Sequence, residues 1–250
     1  IVVRSGRRPL ALEGCDNSAL VEPLEKDERQ EMLLSLTNRK EPSDDAEKGA
    51  LKRLLHGLAG IPLAIKLLAH RASIHPFTAL ESEWNKINIG LLETRSMPGG
   101  LAASIRLSVE SRPMLDVPDA GRLLSLLGRL PDGLHHKDRD KVFKGNAFKA
   151  IEALADTGLV VLEDDRYRLL TPIKEYVINP ANCANSKNKN LHLTRDDEEN
   201  CMCFFEDLAK KGEKLQWGEA LDLNRVENLP SVLTAECNNI TAVLRSALDG

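Results

Sequence analysis

Apolar positions recur every three or four residues along most of this chain, a spacing that predicts helices. Residues 24–38 carry Leu24, Met32, Leu33 and Leu36 on that spacing. Ser43-Asp44-Asp45 then supplies acceptors and negative charge, as a helix start requires, and the helix behind it runs to about His56. The densest apolar stretch is Gly57–His70. Pro62 opens it, and a proline suits the first helical turn because its missing N–H would have no intrahelical partner there. Leu63, Ala64, Ile65, Leu67, Leu68 and Ala69 follow, interrupted only by Lys66. A helix apolar on every side is buried, so residues 62–72 are expected in a core. Pro76, Pro98, Gly99 and Gly100 read as a linker that closes a first unit near residue 100.

A second unit, 101–180, reads as three helices and a hairpin. Ile105, Leu107 and Val109 fall in one helix, and Leu123, Leu124, Leu126, Leu127 and Leu130 in another, stopped by Pro131-Asp132-Gly133. Asn146 starts the third, with Phe148, Ile151, Leu154 and Ala155 expected on one buried stripe. Two short strands, Gly158–Glu163 and Arg166–Leu170, join at Asp164-Asp165. That order is the order of a winged helix. Residues 181–194 read as a polar linker, and helices resume over about 195–213, 218–228 and 231–248. Ile1-Val2-Val3 has the β-branched character of a buried strand, with a polar loop following to residue 22. Opening on a core strand without methionine, the chain is expected to be a piece of a longer protein.

Several of these strings resemble one family. Gly60-Ile61-Pro62-Leu63-Ala64-Ile65 resembles the Gly-Leu-Pro-Leu-Ala-Leu motif of NB-ARC proteins, the NLR-like branch of the signal-transduction (STAND) ATPases. Leu124–Gly133 resembles the same family's winged-helix segment, and Ala153–Val160 followed by Tyr167–Tyr176 its third helix, wing and exit helix. Arg225–Leu229 and Glu236–Leu244 resemble the segment that opens a tetratricopeptide-type (TPR) repeat array. The resemblance implies a mainly α chain in three parts. Residues 1–100 would be the end of a nucleotide-binding core with its helical subdomain. Residues 101–180 would be a winged-helix domain, and 181–250 a linker with the first helices of a TPR-like region.

It also implies a regulatory segment of an ADP/ATP-switched signalling ATPase, with Pro62 packed on adenine and Gly60, Ile61 and Leu63 around it. Homo-oligomerisation on activation, and a protein or small ligand sensed through downstream repeats, would follow. Arg4 or Arg7 would be the phosphate sensor at the end of the first strand; Arg4 stands where that motif usually has threonine. The family's Met-His-Asp segment is matched here by Leu170-Thr171-Pro172, so the histidine is absent and Thr171 offers a hydroxyl in its place. On the residues alone, Pro62 reads as a plain helix start, and the adenine contact comes from the whole-chain resemblance.

Composition narrows the chemistry. No G-x-x-x-x-G-K-[ST] phosphate loop occurs in the 250 residues, nor an apolar strand ending in paired aspartates. By the resemblance, that cradle and its magnesium site would precede Ile1, and this chain is not expected to be catalytic by itself. Net charge is −4, and residues 101–180 carry twelve Lys plus Arg against twelve Asp plus Glu, which argues against DNA as a partner. No apolar run is long enough to span a membrane. Cys15, Cys183, Cys201, Cys203 and Cys237 are odd in number and irregularly spaced, as reduced thiols in a cytoplasmic protein would be. Cys183, His192, Cys201 and Cys203 match no metal-knuckle spacing, and His135-His136 reads as an exposed loop pair. Two other readings stand beside the signalling one: a DNA-binding transcriptional regulator with the same layout, and a helical scaffold without nucleotide.

Overall fold

The computed structural model describes residues 23–91, 99–216 and 229–248, and the chain is mainly α-helical. The expected strand at Ile1-Val2-Val3, Cys15, the helix at 218–228 and most of the Arg225–Leu229 string lie outside the described residues.

The first four described helices are α1 (Lys26–Thr37), α2 (Asp45–Gly57), α3 (Pro62–Ala72) and α4 (Phe77–Leu91). The starts of α1 and α2 follow from local chemistry. Glu25 and Glu28 form a reciprocal capping box on α1, and the Asp44 side chain accepts from the Glu47 N–H on α2. The presumed linker after Pro76 is instead the helix α4, which buries Phe77, Leu80, Trp84 and Ile87. Its start is capped from a distance. Glu47 on α2 accepts from the N–H groups of Phe77 (2.8 Å) and Thr78 (2.9 Å) and from the Thr78 hydroxyl (2.7 Å). A cap supplied thirty residues upstream leaves no mark at the helix it serves. α1 packs on α3 and α2 on α4.

The helix α5 (Gly99–Val109) packs against both α3 and α4 and leads through the single turn α6 (Arg112–Leu115) into α7 (Pro118–Arg129). Then come β1 (Leu134–His135), the short α8 (Arg139–Val142), α9 (Ala147–Asp156), β2 (Val161–Glu163) and β3 (Arg166–Arg168). Three helices and a hairpin thus become a longer series, because β1 and the one-turn α8 intervene between α7 and α9. The sheet is antiparallel with order β1-β3-β2, and His135 sits opposite Arg166 and Leu162 opposite Tyr167. Asp164 and Asp165 both have positive φ, 50° and 62°, which is the backbone of the tight hairpin turn that matches strand twist. Asn146 caps α9 by accepting from the Lys149 N–H at 3.1 Å. The buried stripe of α9 is Ala147, Ala150, Ile151, Ala153 and Leu154. Phe148 and Ala155, expected inside, face outward, and the Arg139 guanidinium lies over the Phe148 ring at 5.7 Å. The small alanines let α9 pack against α7 on that side, so the buried face turns away from Phe148 and Ala155 while Ile151 and Leu154 stay on it.

α10 (Thr171–Ile178) packs on α7, and α11 (Pro180–Asn185) follows. Residues 181–194 are polar but tightly packed rather than a free linker. Asn188 is fully buried and donates to the Val109 carbonyl at 3.1 Å, while Glu110 accepts from the Lys187 N–H at 2.9 Å. α12 (Arg195–Gln216) and α13 (Leu229–Leu248) pair with one another. A buried ion pair ties α12 to α7. Arg122 grips the Asp197 carboxylate through two nitrogens at 2.9 and 2.5 Å and reaches Asp119 at 2.8 Å. Thr194 adds a hydroxyl at 2.7 Å and an N–H at 3.1 Å. Burial alone would raise the Asp197 carboxyl, but the Arg122 and Thr194 bonds outweigh it and hold the group below its ordinary value.

Leu154 is fully buried, so Leu154→Ala is expected to remove about 2–5 kcal/mol of stability, while the exposed Phe148→Ala removes less than about 1 kcal/mol. Urea unfolding of the two variants checks the reassigned stripe. A second expectation concerns acid. A carboxylate held below its unfolded value of about 3.9 adds stability that is present above that pH and is lost as pH falls through the folded value. Melting temperature is therefore expected to fall as pH drops below about 4, and Asp197→Asn is expected to flatten that acid limb. Glu47 is also held low, its burial outweighed by bonds from Thr78 and Phe77 and by Arg39, and Glu81 is held low by its bonds to Arg53, so both contribute to the slope that remains.

Candidate functional site

The turn between α2 and α3 is built from backbone geometry that few residues tolerate. Ala59 and Gly60 both have positive φ, 51° and 72°. A Cβ on Gly60 would lie 2.5 Å from the Leu24 carbonyl oxygen and 2.8 Å from Arg29 Nε, so glycine is required by contact as well as by φ. The Gly60 carbonyl accepts from the Leu24 N–H at 2.9 Å, and Arg29 Nε donates to the Leu24 carbonyl at 2.6 Å. The segment before α1 is thereby laced to the start of α3, with the Arg29 guanidinium beside Gly60. Gly57 serves packing: the Trp84 ring occupies the space a side chain there would take.

Pro62 stands at the first position of α3 and is exposed, while Ile61 and Leu63 on either side are half-buried and Gly60 is buried. Ile61 offers no side-chain cap, so the first N–H groups of α3 have no acceptor from it. An exposed pyrrolidine ring framed by two apolar side chains is a surface on which a flat apolar group can lie. Thr171 is the first residue of α10 and is exposed, at another helix start. No hydrogen bond joins it to the Gly60–Leu63 turn among the described residues, and Arg4 and Arg7 lie outside them. Among the described residues the turn is assembled from Gly60, Ile61, Pro62 and Leu63, with Arg29 beside it.

The far end of α3 carries His70. Its ring fills the space beside Gly158, where a Cβ would lie 2.5 Å from it, at the turn that leaves α9. Burial first, then the Lys66 charge, lower the His70 pKa, and Asp156 partly offsets both. Pro62 and His70 stand just over two helical turns apart, about 12 Å along the axis, so α3 is a rigid rod from the exposed turn to the turn that leaves α9.

A polar lock closes the other side of that unit. Arg166 of β3 donates to the Asp132 carbonyl at 2.8 Å and the Gly133 carbonyl at 3.1 Å, and pairs with Glu236 of α13 at 2.7 Å. Asn239 accepts from the Asp132 N–H at 3.0 Å and donates to the Gly133 carbonyl at 2.9 Å and to Glu236 at 2.6 Å. The Glu236–Asn239 spacing of the repeat-like string is therefore used to dock α13 on the Pro131–Gly133 turn. Arg29, His70 and Arg166 were not legible as site residues. Each acts through a neighbour distant in sequence, and only Glu236 and Asn239 stood in a recognisable string.

Among the described residues the cysteines Cys183, Cys201, Cys203 and Cys237 are free thiols. Cys183 is half-buried and donates to the Val177 carbonyl, Cys203 is exposed, and burial pushes the Cys201 thiol up to about 12. No described helix is long and apolar enough to cross a membrane. Searches of protein-family models, curated proteins and solved structures found no match to this chain.

Gly60→Ala is expected to lower stability by about 2 kcal/mol or more, because the new Cβ meets a backbone oxygen at a positive φ. Gly57→Ala only presses on one side of an aromatic ring and is expected to lower it by less. Urea midpoints for the two variants test whether the Gly60 turn is the constrained one.

Proposed function

We propose that this chain is the regulatory segment of an ADP/ATP-switched signalling ATPase of the NB-ARC type, coupling nucleotide state to a repeat domain. The observation that carries the reading is the two-ended placement of α3. One end presents the exposed Pro62 ring, and the other lodges His70 against Gly158 in the α7–β3 unit. A purine resting on Pro62 would bias the tilt of α3, and a rigid helix transmits tilt to whatever its other end touches. The order α7-β1-α8-α9-β2-β3, with sheet order β1-β3-β2, supports reading that unit as a winged helix. The docked α13 supports reading Glu236 and Asn239 as the joint to the repeats.

The residues present fit the adenine side of a nucleotide and little more. Pro62, Ile61 and Leu63 offer apolar surface, and the uncapped start of α3 offers N–H groups. The phosphates and magnesium would be held by residues preceding this chain. The DNA-binding reading is weaker because the outward face of α9 carries Lys149 against Glu152 and Asp156, with Phe148 and Ala155 between them.

Pro62→Ala in the intact protein should preserve α3, since alanine is a good helix former, while removing ring contact worth about 1 kcal/mol. ADP titration by calorimetry is expected to show a several-fold weaker affinity. Equal affinities with a lower melting temperature would leave Pro62 as a helix start and nothing else.

A further inference from the structure

The sheet brings together three side chains that no part of the nucleotide reading uses. His135 ends β1, His136 follows it, and Asp165 is the second residue of the β2–β3 turn. One ligand atom from each lies within 4.8 Å of the others. Successive side chains of a regular strand point to opposite faces. Here the strand ends, and the two imidazoles lie on the same side, stacked at 4.8 Å with 24° between their planes. The cluster sits where β1, β3 and the turn meet, so the backbone fixes it on all three sides.

The hydrogen bonds prepare the rings unequally. The His136 N–H donates to the Asp165 carbonyl at 2.9 Å, and His136 Nδ1 lies 3.2 Å from the same oxygen. A carbonyl oxygen only accepts, so Nδ1 carries the proton and the Nε2 lone pair is left free, the tautomer that metal-binding histidines are usually held in. His135 Nδ1 accepts from the Lys137 N–H at 3.2 Å, a long bond that an ion taken at Nδ1 would replace. Asp165 Oδ1 is 3.8 Å from His136 Nδ1, and its side chain is exposed enough to swing.

We propose that His135, His136 and Asp165 form a binding site for a borderline divalent transition-metal ion, Zn2+ being the best match. Two imidazoles and one carboxylate are the donor set that suits zinc, while magnesium and calcium take oxygen ligands. Ligand atoms on one tetrahedral zinc lie about 3.4 Å apart at bond lengths near 2.1 Å, so closing from 4.8 Å needs only rotamer adjustment of side chains that are not buried. Three protein ligands leave a fourth position for water or for a group from a partner. The ion would staple the end of β1 to the β2–β3 turn, one residue from Arg166 and the Glu236 lock. The site is independent of the nucleotide reading and stands or falls separately.

The test is titration of the purified chain with Co2+ and Zn2+. Wild type is expected to bind one equivalent with Kd on the order of 10 µM. The Co2+ complex should show d–d absorption without a thiolate-to-metal charge-transfer band, which separates this site from the cysteines. His136→Ala and Asp165→Asn are each expected to weaken Zn2+ by at least about tenfold. Zn2+ should raise the melting temperature of wild type but not of either variant. Asparagine tolerates positive φ, so Asp165→Asn keeps the turn and reads the site even if His136→Ala perturbs the fold. The proposal is overturned by no saturable binding up to about 1 mM, by unchanged affinity in Asp165→Asn, or by a charge-transfer band that disappears with Cys203→Ser or Cys237→Ser.

Discussion

Asp197 has no solvent-exposed side-chain surface, yet it keeps a charge, and the placement of α12 depends on how that charge is satisfied. A carboxylate out of water is costly unless paired and hydrogen-bonded. Arg122 and Thr194 between them give it four bonds, of which the two from Arg122 fix α12 against α7. Asp119, the second carboxylate on Arg122, also accepts from the Asn146 N–H at 2.7 Å. The same network therefore sets the start of α9. One arginine on α7 thus orients the helix in front of the hairpin and the helix behind the polar strap.

The described structure divides its labour between two kinds of seam. Within α1–α5 the packing is mostly apolar, with α3 buried along most of its length and Ala64, Ile65, Leu67 and Leu68 in the core. The joint to α12 and α13 is centred on two buried ion pairs, Arg122–Asp197 and Arg166–Glu236. Apolar seams tolerate small sliding because dispersion contacts reform at each step. Ion pairs do not, since a displaced carboxylate loses its partner outright.

Legibility in the sequence followed the same divide. The helices at 26–37, 45–57 and 62–72 could be read because their starts are signalled locally, by Asp44 or by Pro62, and their apolar residues keep helical spacing. α4 was missed because its cap is Glu47, which is distant in the chain, and because Pro76 reads as an interruption although it only precedes the helix. The α9 stripe was misplaced because periodicity favours large residues, whereas Ala147, Ala150 and Ala153 allow the close approach to α7 that buries them. The 181–194 segment looked loose because it is polar, but Asn188 and Ser186 are buried by pairing with backbone and Glu110. The Gly60–Pro62 turn was evident as a motif. Arg29 beside it and His70 at the far end of α3 were not, because nothing in their own surroundings marks which distant backbone each will meet.

The hairpin joins these threads. Arg166 is buried on β3 directly opposite His135, and its guanidinium serves two carbonyls of the 131–133 turn and one carboxylate of α13 at once. Such a residue adds little net stability over an apolar one of similar size, but it penalises any arrangement that leaves one of its partners alone. The tight turn at Asp164-Asp165 is what delivers Arg166 to that position, since its positive φ pair sets the register of β3 against both neighbouring strands. A change in that turn would therefore be felt at α13 before it was felt in the core. The β-sheet is only three short strands, yet through Arg166 it holds α13 against the turn that follows α7.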